Sequence, residues 1–226
     1  MVAELRIGVV DSGFAPSQAS RVLAARQFQL DGETLREREA TPDRLGHGSA
    51  VLDVLFCVPS QVSFCVAQVF NERRQTSPLQ IAAALHWLVE QRVALINLSL
   101  GLRTDRPVLR DACTTALRAG ILLCASSPAQ GEPVYPARYP GVIGITGDAR
   151  CAQGQWSWLA SAQADFGAPV AATNGVAGAS VACAAMSGLI IDFLCHKPEA
   201  DLTEVMTWLR TGAAFVGAER RGRRNE

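Results

Sequence analysis

Five short runs, residues 5–10, 62–69, 94–100, 121–125 and 142–146, are apolar at nearly every position. A run that is continuously apolar, not apolar at alternate positions, is a strand buried on both faces. Helical patterns separate the runs, at about 48–56, 77–91 and 106–119, and two more follow at about 180–194 and 202–209. Boundary residues agree with these limits: Ser77 stands as an N-cap before Pro78 at the first helical position, Gly120 follows the third helix, and Asp201 with Glu204 forms a capping-box variant. The alternation predicts an α/β fold, a mostly parallel β-sheet with helices on both faces. In such a sheet the reacting groups collect at the carboxyl ends of the strands.

At 226 residues with 49% hydrophobic content, the chain can bury one large core. No linker or charge block divides it, so one domain is expected over residues 1–212, followed by a basic tail over 213–226. Lys plus Arg and Asp plus Glu both number 21, which leaves no net charge to draw the chain to nucleic acid or an anionic membrane. The apolar run at 7–10 meets Asp11 too soon for an export signal, and no segment approaches the roughly 20 uncharged apolar residues of a membrane span. Seven cysteines, at 57, 65, 113, 124, 151, 183 and 195, lack Cys-x-x-Cys spacing. Reduced, packed thiols in a cytoplasmic protein are the reading, and no metal or cofactor is expected, since no loop of alternating carboxylates is present.

Three stretches carry chemistry. Asp11 ends an apolar strand in Asp11-Ser12-Gly13, His47 stands between Gly46 and Gly48 at the head of a helix, and Ser180 lies in the first turn of an apolar helix that follows Gly178. A serine hydroxyl becomes a nucleophile when a neutral histidine takes its proton, and a buried carboxylate holds that histidine in the right tautomer. Of the other histidines, His86 reads as a partly buried packing residue and His196 as a cation complementing a helix C-terminus. On the residues alone, a catalytic and a structural role for His47 stay open. Asp53 falls six residues from His47 on the same helix, a poorly matching face, and Asp165 sits in a sequence that reads as a turn ending a strand. Ser180 and Ser187 could each be small residues easing helix packing, but the helix N-terminus favours charge development at Ser180. Cys183, one turn beyond, reads as a packed thiol.

In order along the chain, Asp11-Ser12-Gly13, Gly46-His47-Gly48, 96–101 (Ile-Asn-Leu-Ser-Leu-Gly), 139–143 (Tyr-Pro-Gly-Val-Ile), 165–169 (Asp-Phe-Gly-Ala-Pro) and Gly178-Ala179-Ser180 resemble the signature segments of subtilisin-like serine peptidases. The resemblance spans about residues 5–212. It implies a subtilisin-like catalytic domain, with Ser180 as nucleophile, His47 as general base and Asp11 as orienting acid. It also implies that Ser99, Leu100 and Gly101 form an edge on which an extended substrate pairs, and that Ala125, Ser126, Ser127 and Pro128 floor the first specificity pocket. Two departures concern the oxyanion. Ala129 stands where the family has an asparagine donor, and Ala179 where it has a threonine before the nucleophile. Losing that asparagine costs about 10²–10³ in turnover in this same family, so a slow enzyme is expected unless Gln130 swings its amide in or the Ser180 backbone N–H carries the charge. Ten residues precede Asp11, a shorter lead-in than the family's, and the expectation is a compact form without a pro-segment.

The functional expectation is an intracellular serine endopeptidase making a limited, specific cut in a peptide or protein, such as leader-peptide removal. The partners expected are a peptide or protein substrate and an activating partner protein able to complete the oxyanion hole, with no nucleic acid and no membrane. The alternative is a pseudopeptidase that binds an extended peptide or regulates a partner without cutting. An α/β-hydrolase esterase is disfavoured because neither serine window reads Gly-x-Ser-x-Gly.

Overall fold

In the computed structural model, which describes residues 4–171 and 177–218, the chain runs through β1 (Arg6–Asp11), a 3-10 turn (Pro16–Arg21), β2 (Val22–Asp31), β3 (Thr34–Arg38), α1 (His47–Leu55), β4 (Ser63–Gln68), α2 (Pro78–Glu90), β5 (Leu95–Leu98) and α3 (Pro107–Arg118). It continues through β6 (Leu122–Ser126), β7 (Val142–Gly147), β8 (Ser157–Trp158), β9 (Phe166–Ala168), α4 (Ala179–His196), α5 (Leu202–Thr211) and β10 (Phe215–Val216). The five apolar runs are β1, β4, β5, β6 and β7. Ser77 caps α2 by accepting from the Gln80 N–H, Gly120 takes a positive φ just past α3, and Asp201 and Glu204 complete the box at α5.

All ten strands form one sheet in the order β10-β8-β9-β7-β6-β5-β1-β4-β2-β3. Only the β2–β3 and β8–β9 pairs are antiparallel. Successive strand residues face opposite layers. In β6, Leu122 and Cys124 join a core with Val51, Leu55, Met186, Ile190 and Val205 of α1, α4 and α5, whereas Leu123 and Ala125 join Ile81, Leu85, Leu109 and Ala112 of α2 and α3. The chain begins at β1 in mid-sheet, builds β4 on one side, then crosses to β5 on the other. The winding therefore reverses at the β1–β5 boundary, and the crevice at such a reversal opens at the carboxyl ends of the strands.

Three regions differ from expectation. The hairpin β2–β3 was not legible, because the stretch Ala24-Ala25-Arg26-Gln27 mixes burial without a clean period. Residues 165–169, read as a strand-ending turn, instead hold β9, whose Phe166 is fully buried, and the Asp165 carboxylate accepts from the Gly144 N–H at 2.9 Å. The boundary expected at 212 falls inside the fold: β10 pairs in parallel with β8, and the Arg150 guanidinium, itself paired to Asp148, donates to the Gly217 carbonyl at 2.8 Å. The strongly basic end, 219–226, and Val176, from which the α4 run was expected to open, lie outside the described residues.

α4 spans 18 residues with a mean hydropathy of 1.6, long and apolar enough by composition to cross a membrane, which the sequence reading did not expect. Half of it is buried in this fold, and it packs across β5, β6, β7 and α1. Its first turn is thereby delivered to the crevice.

Candidate active site

Asp11 is the last residue of β1 and is fully buried. Its Oδ1 accepts from the Ser12 N–H and from His47 Nδ1, each at 2.7 Å. Its Oδ2 is buried with no hydrogen-bond partner among the described residues. His47 opens α1, and about a third of its side chain stays exposed. The bond to Asp11 raises the pKa of His47 above its ordinary value; burial opposes this, and the charges of Asp11 and Asp43 add to the rise. With Nδ1 engaged by a carboxylate, Nε2 is the nitrogen left to exchange a proton.

The two glycines around His47 act differently. Gly46 holds a left-handed φ of 72° that ends the preceding loop. Gly48 lets α1 touch the loop after β1, because a Cβ on it would lie 2.3 Å from the Gly13 carbonyl oxygen. The Gly48 N–H then donates to Ser12 Oγ at 2.8 Å. Asp43, which the sequence did not single out, accepts from the N–H groups of Leu45, Gly46 and Ser49 and from the Ser49 hydroxyl. Burial works against its ionised form, yet these bonds hold its pKa below the usual value. Gln68, paired in register with Asp11, donates to the Ser12 carbonyl at 2.7 Å and accepts from the Thr41 N–H at 3.0 Å. A signal for Asp43 was present, since a carboxylate shortly before a helix start caps free N–H groups.

Ser180 is the second residue of α4, whose N-cap Gly178 has a φ of 110°. Its hydroxyl donates to the Ser99 carbonyl at 3.3 Å, and the Ser99 hydroxyl donates to the Ser180 carbonyl at 3.4 Å. Among the described residues no hydrogen bond joins Ser180 to His47. Ser180 lies against the end of β5, through Ser99, and Asp11 ends the neighbouring strand β1, so both stand at the carboxyl ends of adjacent strands. Burial, foremost, pushes the Cys183 thiol well above its ordinary pKa, and it donates to the Leu98 carbonyl, so it is no rival nucleophile.

The expected oxyanion residues, Ala129 and Gln130, sit on an exposed loop after β6, and the Gln130 amide makes no hydrogen bond among the described residues. The segment before them is anchored: Ser126 Oγ donates to the Leu100 carbonyl at 3.4 Å, Ser127 Oγ to the Gln163 carbonyl at 2.6 Å, and the Gln163 amide to the Pro128 carbonyl. Residues 99–101 and 125–128, expected to bind substrate, thus lie side by side at the ends of β5 and β6, with Gly101 exposed. Val134 packs against Gly101, where a Cβ would fall 2.6 Å from its Cγ2.

Other candidates lie elsewhere. His86 is exposed, not partly buried, because it sits on the solvent side of α2. His196 ends α4, its Nδ1 at 2.8 Å from the Asp192 carbonyl. Asp53 is exposed and accepts from the Gln18 amide. All seven cysteines are unpaired; five are buried, Cys195 is half-buried and Cys57 is exposed. Among the described residues no three His, Cys, Asp or Glu side chains cluster to hold a metal ion.

A winding reversal over β1 and β5, with a carboxylate–imidazole pair at one strand end and a helix-borne serine opposite, defines a subtilisin-fold α/β domain. A solved structure titled S41 psychrophilic protease superposes with a TM-score of 0.73 at 19% identity, covering 92% of this chain and 82% of that one. The Subtilisin-like protease het-Q2 of Podospora anserina is 34% identical over 108 residues, 43% of this chain and 29% of the relative. The Major intracellular serine protease of Bacillus subtilis (strain 168) is 24% identical over 161 residues, 62% of this chain and 50% of the relative. The chain thus spans no more than half of either relative's length. No family model matches it. In fold and in sequence the chain is similar to subtilisin-like proteases.

Proposed function

We propose that this chain is a serine endopeptidase in which Asp11 orients His47, His47 accepts the Ser180 proton, and Ser180 attacks the peptide carbonyl. The observation that carries this is the 2.7 Å contact between His47 Nδ1 and a fully buried Asp11 carboxylate. A carboxylate so placed fixes the tautomer and stabilises the imidazolium formed on proton transfer. Rotation of Ser180 about χ1 breaks only its bond to the Ser99 carbonyl, and resting hydrogen bonds in such sites tighten when substrate binds. His47 Nε2 then returns the proton to the leaving amine. The developing oxyanion is received by the Ser180 N–H, one of the free N–H groups of the first α4 turn, and by the Gln130 amide if the loop brings it over.

The substrate in this reading is an extended peptide lying along 99–101 and over 125–128. With no fixed side-chain donor at Ala129, turnover is slow, which suits one limited cut, such as leader-peptide removal, or completion of the site by an activating partner protein. A cytoplasmic location accords with the seven unpaired thiols. The pseudopeptidase reading is favoured by one observation, the Ser180 hydroxyl resting on Ser99 and not on His47. Treatment with a fluorophosphonate separates the two. A covalent adduct on Ser180, absent from Ser180→Ala, supports the peptidase; folded protein that forms no adduct is a binding module.

A further inference from the structure

The hydrogen bonds that seat α4 on β5 form one buried chain leading to the nucleophile. Ser187 Oγ donates to Asn97 Oδ1 at 3.0 Å, and Asn97 Nδ2 donates to Ser99 Oγ at 2.9 Å. Ser99 Oγ then donates to the Ser180 carbonyl, while Ser99 offers its own carbonyl to the Ser180 hydroxyl. Asn97 and Ser187 are fully buried and Ser99 is 4% exposed, so water cannot replace the Ser187–Asn97 and Asn97–Ser99 links, while the bonds from Ser99 to Ser180 are part-buried. The surroundings are apolar: Leu98, Cys124, Ala184 and Met186 are all fully buried. In such a setting each bond is held because losing it leaves a desolvated polar atom unsatisfied.

The geometry matters because Ser187 and Ser180 lie seven residues apart on α4, two turns, and therefore on one face. One end of that face carries the attacking hydroxyl and the other is pinned to the centre of β5. Sliding or rolling α4 against the sheet must break the Ser187–Asn97 link. We propose that Ser187 and Asn97 are positioning residues for the reaction, setting through Ser99 where the Ser180 hydroxyl stands relative to His47. This rests on the peptidase reading above. Neither residue touches substrate, so their effect falls on the attack step and not on binding. A nucleophile displaced by about 1 Å loses up to about 100-fold in rate.

The test compares Ser187→Ala, Ser187→Thr and Asn97→Ala with the parent chain, each normalised to its folded fraction by thermal melting. The readouts are the rate constant for fluorophosphonate labelling of Ser180 and, on a peptide substrate, kcat and KM separately. The expected result is a roughly tenfold slower labelling rate and kcat for Ser187→Ala, a larger drop for Asn97→Ala, KM unchanged within about twofold, and recovery in Ser187→Thr, which keeps the hydroxyl. Labelling of the parent chain at a rate that Ser187→Ala and Asn97→Ala both match would overturn the positioning role and leave the peptidase reading intact. A change in KM alone would overturn it too. A parent chain that forms no adduct removes the peptidase reading and this role with it.

Discussion

The two sides of the crevice are built to different standards. On the β1 side, Asp11, Ser12, His47, Gly48 and Gln68 are tied by hydrogen bonds of 2.7–2.8 Å, and backbone approaches backbone so closely that Gly48 has no room for a Cβ. On the β6 side, the loop is anchored only up to Pro128, and Ala129 and Gln130 stand exposed beyond it. Proton transfer needs groups placed before substrate arrives, so its side is preorganised. In the proposed reaction, charge stabilisation on the other side would fall to the Gln130 amide, a backbone N–H or a partner. The difference teaches that a subtilisin fold can hold its carboxylate–imidazole pair tightly while leaving the loop after β6 exposed.

Breaking the ordered side should have the largest effect. Asp11→Asn is expected to lower kcat by about 10⁴-fold with KM little changed, since the imidazole loses its tautomer and its counter-charge. Steady-state kinetics on a labelling-competent preparation would check this, and a loss below tenfold would contradict the assigned role. Repairing the relaxed side should come next. Ala129→Asn is expected to raise kcat by about 10²–10³, the span that such a donor commands in subtilisin-like peptidases. No rise would assign the oxyanion to Gln130 or to a partner.

Gly48→Ala tests the contact that places His47 beside Asp11. It should lower activity by about 100-fold and also reduce the melting temperature, because the clash is with backbone, which cannot swing aside. The smallest effect concerns pH. Activity requires neutral His47, whose pKa is raised chiefly by its bond to Asp11, so the acid limb of kcat/KM should lie above the ordinary histidine value of about 6.5. Asp43→Asn removes a charge that contributes to the rise and should move that limb to lower pH. For folding the sign is opposite to that for activity. A raised folded-state pKa adds stability that is complete below the unfolded value and fades as pH climbs through the folded one.

Continuous apolar runs and capping residues were enough to place β1, β4 to β7 and the five helices of the described residues, because an unbroken apolar run and a helical apolar period both survive in one dimension. The edge elements escaped. β8, β9 and β10 are two or three residues long, too short for any period, and they exist because Arg150, Asp148 and Ser157 pin them together from distant positions. Asp11, His47 and Ser180 were proposed from local setting plus family resemblance, and Asp43, whose partners lie within six residues, carried a local signal that was passed over, whereas Gln68 carried none, since its partners Ser12 and Thr41 are far away in the chain.

The order of residues along the chain was sufficient for the five central strands and the positions of the helices, because each of these depends on neighbours within a turn or a strand. Where the Ser180 hydroxyl rests and how Ser187 reaches Asn97 across 90 residues are consequences of packing α4 on β5, and which carboxylate oxygen meets His47 follows from packing α1 against the end of β1. Those are distances of tenths of an ångström between segments far apart in the chain, and only the folded arrangement sets them.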